Sequence, residues 1–204
     1  LNFLKDNLDD NYEIYFQPYL NLDRPDIVLL KKNAGALIIE VKDWHLQYYY
    51  IDKDLNWRLK ENDAFIKPPL QQLSYYKNNL YQLHLENLFN LFLKDKKSFG
   101  LIGCALYFHN ESEETLKQFH RNGIDPKVHF KYLNKLNYFS FLGNNSLNLK
   151  GLNQLLSKSH LLHSNKYFTE DLYLSFKRYL EPPFHAIEDG KVINYTKEQI
   201  ELSR

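Results

Sequence analysis

The stretch Ala36–Lys42, ALIIEVK, constrains the chain more than any other. Ala36, Leu37, Ile38 and Ile39 form an unbroken apolar run, as a buried strand does. Glu40 and Lys42 then break the pattern from inside. Strand side chains alternate between faces, so Glu40 and Lys42 point the same way and Val41 points into the core on the other side. Burying a charge costs several kcal/mol, by order of magnitude, unless it is paired or holds a metal. The strand therefore carries a functional site or an ion pair.

The preceding text, RPDIVLLKK, reads as a second apolar strand headed by Asp26, and the turn NAG joins the two as a hairpin. That hairpin places Asp26 near Glu40. Two carboxylates brought together repel and raise each other's pKa. A divalent cation between them removes that cost, and oxygen-only ligands suit Mg²⁺ or Mn²⁺. Lys42 beside such an ion can stabilise charge on an attacked phosphate or orient the attacking water. The plainer alternative is that Asp26 caps a strand and Glu40–Lys42 is a surface pair worth under about 1 kcal/mol.

Around this hairpin the chain reads as mixed α/β. Tyr12–Leu20 is a strand, and Leu46–Asn62 is another hairpin with its turn near Asp52–Asn56. From Pro69, leucines at helical spacing predict one helix through about Lys94. Phe99–His109 is a buried strand, and Ser112–Arg121 is a helix opened by a serine cap. KVHFKYL is expected as a last strand. LNLKGLNQLLSKSHLL and TEDLYLSFKRYLEPP are two helices, the second stopped by Pro182–Pro183.

Charge excludes a globally basic nucleic-acid binder: the net charge is +1 over 204 residues, so any contact with DNA must come from a local patch. Lys31, Lys32, Arg58, Lys60, Lys67 and Lys77 are the candidates for it, with a solvated face as the bland reading. Tyr48–Tyr50 and Trp57 suit base stacking, although packing is the commoner use of such residues. Cys104 is the only cysteine, which fits a reducing, cytoplasmic compartment. No apolar run reaches the length of about 18 residues that a membrane span needs. The chain contains no methionine and is expected to lack its true start.

Asp26 followed by Glu40-x-Lys42 resembles the PD-(D/E)xK nuclease pattern. GALIIEVKDW, with the helix opening PPLQQLSYY in the right order after it, is similar to the nuclease-related domain (NERD) family. The resemblance covers roughly Leu1–Leu142. It implies an α/β restriction-endonuclease-like core, a mixed sheet flanked by helices, that cuts DNA with Mg²⁺ or Mn²⁺. Asp26, Glu40, Lys42 and Gln72 would be catalytic, with Asp26, Glu40 and the Val41 carbonyl as metal ligands. Lys31, Lys67, Tyr76 and Lys77 would contact nucleic acid. Gln72 with Tyr76 forms a Gln-x-x-x-Tyr pair on one helix face; Gln71 with Tyr75, about 100° away, is the off-by-one alternative. The family usually carries a glutamate in its first helix, and here no glutamate precedes Glu13; Asp6, Asp9 and Asp10 are weak substitutes.

Residues 143–183 read as a helical extension. Residues 184–204 resemble the lead-in to a superfamily 1 helicase, where Tyr195, Thr196 and Gln199 match an aromatic-Thr-x-x-Gln motif and Gln199 would read adenine. No phosphate-binding loop follows, so ATP belongs to a helicase part outside this sequence. The expected whole is a nuclease–helicase protein with DNA as partner, of a kind that suits bacterial anti-phage defence. The rival is a module that binds nucleic acid, no longer cleaves it and delivers it to the helicase.

Overall fold

Two antiparallel pairings followed by two parallel ones build the central sheet, in the order β1–β2–β3–β7–β8. The strands are β1 (Tyr12–Phe16), β2 (Ile27–Lys31), β3 (Gly35–Lys42), β7 (Ile102–Phe108) and β8 (Phe139–Gly143). The computed structural model describes residues 1–18, 23–85 and 88–180. The helicase-like motif with Gln199 lies outside the described residues.

The hairpin expected from the sequence is present, with Ile27 opposite Ile39 and Lys31 opposite Gly35. Asn33 turns the chain with φ 61°, which asparagine tolerates better than most residues. A Cβ on Gly35 would sit 2.5 Å from the Leu101 carbonyl oxygen, so the close approach of the chain before β7 requires glycine there.

Period-two alternation divides the core into two layers. On one face Val28, Leu30, Ala36 and Ile38 pack with Leu73 and Leu80. Leu73 belongs to α2 (Pro69–Asn79). The same layer takes Leu172, Phe176 and Leu180 of α7 (Glu170–Leu180). On the other face Ile27, Leu29, Leu37 and Ile39 pack with Leu4 of α1 (Asn2–Asn7) and with Leu152, Leu155 and Leu156 of α6 (Leu149–Lys158). The result is a helix–sheet–helix sandwich, the mixed α/β architecture expected from the sequence. The two C-terminal helices pack directly on the sheet, one on each face.

A small antiparallel sheet, β4 (Tyr49–Ile51), β5 (Trp57–Leu59) and β6 (Phe65–Ile66), sits beside the main one. Its Trp57 is 1% exposed and packs on Phe108, Phe119 and His120.

Two expectations change. The long helix from Pro69 divides: α2 widens into a π-type turn over Leu80–His84, Leu85 adopts extended backbone, and α3 (Leu88–Lys94) follows. KVHFKYL is not a strand. Its second half lies in α5 (Phe130–Leu136), and the last strand among the described residues is β8 (Phe139–Gly143). The apparent alternation of Val128 and Phe130 misleads because both are exposed. Tyr132, Leu133 and Leu136, at helical spacing, supply the buried side. The serine-capped helix is found as α4 (Glu113–Phe119), with Ser112 Oγ accepting from the Thr115 amide at 3.1 Å.

Candidate functional site

Ladder pairing between β2 and β3 stops at Ile27–Ile39, and Pro25 lies two residues upstream of Ile27. The Val41 amide is therefore left for a side chain, and Asp26 Oδ2 accepts it at 2.8 Å. The Asp26 carbonyl takes the Gln17 amide at 2.8 Å, so the residue is held from both neighbouring strands. Its carboxylate stands beside the C-terminal end of β3.

Glu40 and Lys42 share the β3 face that looks toward α2. Lys42 Nζ lies 2.5 Å from Glu40 Oε1. Glu40 is 2% exposed, and its second oxygen, Oε2, has no hydrogen-bond partner among the described residues. Burial pushes the Glu40 carboxyl above its usual range; the Lys42 ammonium opposes this, the Asp26 carboxylate adds to it and Lys67 opposes it more weakly. The end of β3 is fixed from the β7 side, where the His109 amide donates to the Lys42 carbonyl at 2.8 Å and Asn110 Nδ2 donates to the Asp43 carbonyl.

From α2, Gln72 reaches the same point. Its Oε1 lies 3.5 Å from Lys42 Nζ, and its Nε2 donates to the Tyr76 hydroxyl at 2.6 Å. The Tyr76 hydroxyl in turn faces the Arg24 carbonyl at 3.3 Å. Lys42, Gln72, Tyr76 and Arg24 thus form a chain of polar contacts from β3 through α2 to the segment that carries Asp26. Burial raises the Tyr76 phenol pKa, and the carboxylates of Glu40, Asp23 and Asp26 raise it further. Gln71 and Tyr75 are exposed on the neighbouring face of the helix, so Gln72 and Tyr76 are the pair that meets β3.

The structure thus brings Asp26, Glu40, Val41, Lys42, Gln72 and Tyr76 together. Tyr76 is 7% exposed and is tied into the site rather than presented on a rim. Lys67 is exposed, lies 5.5 Å from the Tyr75 ring centroid, and is near enough for its charge to act on Glu40. Two other lysines read as nucleic-acid contacts lie elsewhere. Lys31 is at the far end of β2, its ammonium directed to the Leu161 carbonyl at 2.9 Å and the Tyr12 hydroxyl at 3.1 Å. Lys77 turns into the core and sits 3.7 Å above the Phe99 ring. Arg58 is taken by Asp52, and Lys32 by Glu170. Asp6, Asp9 and Asp10 are exposed, and α1 packs on the sheet face opposite Glu40.

Three participants had no clear signature in the sequence. The Arg24 carbonyl, the Asp23–Asn79 hydrogen bond at 2.6 Å beside Tyr76, and the placing of Trp44 emerge only from the fold. Trp44 stacks on Tyr49 and places its ring 5.5 Å from Lys42 Nζ. Only its position two residues after Lys42 could have flagged it.

The donor set suits a hard divalent cation. Asp26 and Glu40 supply carboxylates, Oε2 of Glu40 is buried without a partner, and the Val41 backbone adds a carbonyl. Among the described residues no three His, Cys, Asp or Glu side chains converge on one point. A cation that keeps several waters, as Mg²⁺ does, matches two carboxylates better than one that demands a full protein cage.

The family model for the nuclease-related domain, NERD, matches residues 1–109. The chain belongs to this family. The match covers more than half of the 204 residues and includes every member of the constellation. No curated protein and no solved structure gives a significant match. Membership in NERD makes this a nuclease-related domain and points to nucleic acid as its partner. No helix among the described residues is long and apolar enough to cross a membrane.

Proposed function

We propose that the domain is a metal-dependent nuclease that hydrolyses phosphodiester bonds of DNA. The observation that carries this reading is the convergence of Asp26, Glu40 and Lys42 at one end of β3, with a buried carboxylate oxygen that has no hydrogen-bond partner among the described residues. Asp26, Glu40 and the Val41 carbonyl would hold Mg²⁺ or Mn²⁺. Such an ion supplies Lewis-acid chemistry, making water more acidic and offsetting phosphate charge.

The chain's own residues do the rest. Lys42 Nζ is a cation of limited exposure that can shift from Glu40 toward a phosphate oxygen where charge develops. Gln72 Oε1 limits where the ammonium can go, and Tyr76 fixes the Gln72 amide. Lys67 at the mouth attracts the phosphate backbone without reading sequence. The surrounding aromatic side chains, Trp44 and Tyr49, exclude water from one side of Lys42.

One observation favours a second reading, a binding module without cleavage. The first helix contributes no acid to the site, because it packs on the opposite face of the sheet. The deciding experiment is cleavage of single- and double-stranded DNA with Mg²⁺ and with Mn²⁺, comparing the wild type with Asp26→Asn, Glu40→Gln and Lys42→Ala. The nuclease reading expects metal-dependent cleavage by the wild type and a loss of about 10²–10³ in rate for the variants. DNA binding with no cleavage under either metal would leave the binding module.

A tie to a helicase in the full-length protein and a role in anti-phage defence go with this reading. The first is supported by the helicase-like motif Tyr195-Thr-x-x-Gln199, and the second rests on the resemblance to bacterial nuclease–helicase proteins alone. A cytoplasmic location belongs to the same proposal, and the single cysteine fits a reducing compartment.

A further inference from the structure

Lys77 poses a problem that the nuclease reading does not use. It lies on α2 one residue past Tyr76 but faces away from the site, toward Phe99 and Cys104. It is 8% exposed, and a lysine so deeply placed normally has an anion beside it. Here it has a ring: Nζ stands 3.7 Å from the Phe99 centroid. Cys104 is no counter-ion, since burial pushes its thiol up to about 11 and it stays protonated at neutral pH. Burial alone holds the Lys77 ammonium down to about 8, and no carboxylate among the described residues moderates that.

Lys77 also lines a cavity of about 200 Å³ with Asn78, Phe99, Cys104, Lys135 and Tyr138. Lys135 is a second cation there, and its charge is felt at Cys104. The Asn78 amide, the Lys135 ammonium and the Tyr138 hydroxyl add donors with no hydrogen-bond partner among the described residues. No acidic side chain lines the cavity. The volume is below the roughly 300–1,000 Å³ of sites for drug-sized ligands. It leaves room for a small ion and not for a nucleotide.

From this geometry we propose that the Lys77 cavity binds a small oxyanion, phosphate or a short carboxylate, between the Lys77 and Lys135 ammonium groups. The site is separate from the nuclease-related constellation. Cys104 pairs with Ile38 and Phe139, two residues along the strands from the Leu106–Glu40 level. On α2, Gln72 and Tyr76 turn to Lys42 and Arg24 while Lys77 turns to Phe99. The proposal therefore does not rest on catalysis.

The linkage gives it a signature. An anion beside Lys77 stabilises the charged amine, so binding at pH 8–9 must draw a proton from the buffer. A lysine that is buried for packing alone would show no such uptake.

The test uses the full chain in phosphate-free buffer, with ionic strength held constant by NaCl. Inorganic phosphate and acetate are titrated separately, followed by thermal unfolding and by calorimetry in two buffers of different ionisation enthalpy. The expected result is a saturable rise in Tm with at least one anion, accompanied by proton uptake at pH 8.5. Saturation by phosphate alone, or by acetate alone, identifies which oxyanion the cavity takes. Lys77→Met should abolish the rise, and Lys135→Gln, on the open side of the cavity, should weaken it several-fold. No saturable rise with either anion overturns the proposal, as does a rise equal in wild type and Lys77→Met. If Lys77→Met does not fold, an unchanged affinity in Lys135→Gln together with no proton uptake in the wild type overturns it equally.

Discussion

The Asp26 carboxylate accepts the Val41 amide at 2.8 Å, at the point where β2 stops pairing with β3. One side chain therefore does two things: it completes the strand edge and sets a negative charge beside Glu40. The two roles separate by substitution. Asparagine keeps an acceptor for Val41 and loses the charge, whereas alanine loses both. Asp26→Asn should keep the wild-type Tm within error and lose Mn²⁺ binding by calorimetry. Asp26→Ala should lose metal binding and also about 1 kcal/mol of stability in urea unfolding. An Asp26→Asn protein that binds Mn²⁺ like the wild type would remove Asp26 from the ligand set.

Gln72 lies between Lys42 and Tyr76, and Gln71 faces solvent. Gln72→Ala frees the Lys42 ammonium from its second neighbour without touching a carboxylate. The expected outcome is a fall in kcat of about tenfold, near 1.4 kcal/mol, with metal affinity unchanged and Gln71→Ala indistinguishable from the wild type. Tyr76→Phe should fall in the same direction by less, since the ring still fills its place while the Gln72 amide loses its acceptor. Steady-state kinetics of all three variants on one DNA substrate decide the matter. Equal effects at 71 and 72 would show that the helix face is wrong.

The part of this site that was legible in the sequence is the part set by local periodicity. Alternation along ALIIEVK placed Glu40 and Lys42 on one face and the short NAG turn brought Asp26 beside them, whereas Gln72 with Tyr76 was preferred to Gln71 with Tyr75 by the family resemblance, since both pairs have the same four-residue spacing. What was not legible depends on which end of an element a residue occupies, or on which neighbour packs against it. Lys31 sits in the same strand as the site but at its far end, and Lys77 follows Tyr76 by one residue yet turns inward. The fold shows the same division. Leucine spacing predicted a single helix from Pro69, but nothing local marks the extended backbone at Leu85. Val128 and Phe130 imitate a strand because alternation cannot distinguish exposed residues at the start of a helix from a sheet edge.

His120 predicts an acid-side instability. It is fully buried, with Nδ1 2.8 Å from the Tyr132 hydroxyl, Nε2 without a partner among the described residues, and Trp57, Phe119 and Phe141 rings around it. Burial holds its imidazole down to about 3, against 6.5 when free. Between those values the unfolded chain binds a proton that the folded chain refuses. Its share of the stability is therefore fully present above pH 6.5 and is lost as pH falls. The slope should approach about 1.4 kcal/mol per pH unit below pH 6. Glu13 and Asp95, held below the usual carboxylate range, add their own losses only below about pH 4.5; Glu40, held above that range, acts in the opposite sense, so the histidine's share between about pH 5 and 7 is read as the difference between the wild type and a His120 variant in urea unfolding. His120→Phe should flatten the profile in that window; an unchanged slope would place its origin elsewhere.

The packing of α6 and α7 predicts where the chain can be cut. The family match ends at residue 109, and a fragment ending near residue 142 would keep every member of the candidate site. Such a fragment would nevertheless uncover both layers of the core. On one side Leu152, Leu155, Leu156 and Leu161 close over Leu29 and Leu37; on the other Phe168, Leu172, Phe176 and Leu180 complete the layer that holds Val28 and Ile38. Each of these side chains contributes on the order of 1.5–3 kcal/mol when buried, and eight of them together, about 12–24 kcal/mol, are as large as or larger than the whole stability of a typical domain, about 5–15 kcal/mol. Polar ties across the sheet edge would go as well, since Glu13 on β1 accepts from Tyr173 and from Lys177 Nζ at 3.1 Å. Expressed side by side, residues 1–204 should give a cooperative thermal transition, and residues 1–142 and 1–165 should be insoluble or lack one. A soluble 1–142 fragment with a sharp transition and intact Mn²⁺ binding would show that the two helices are an accessory layer rather than part of the folding unit.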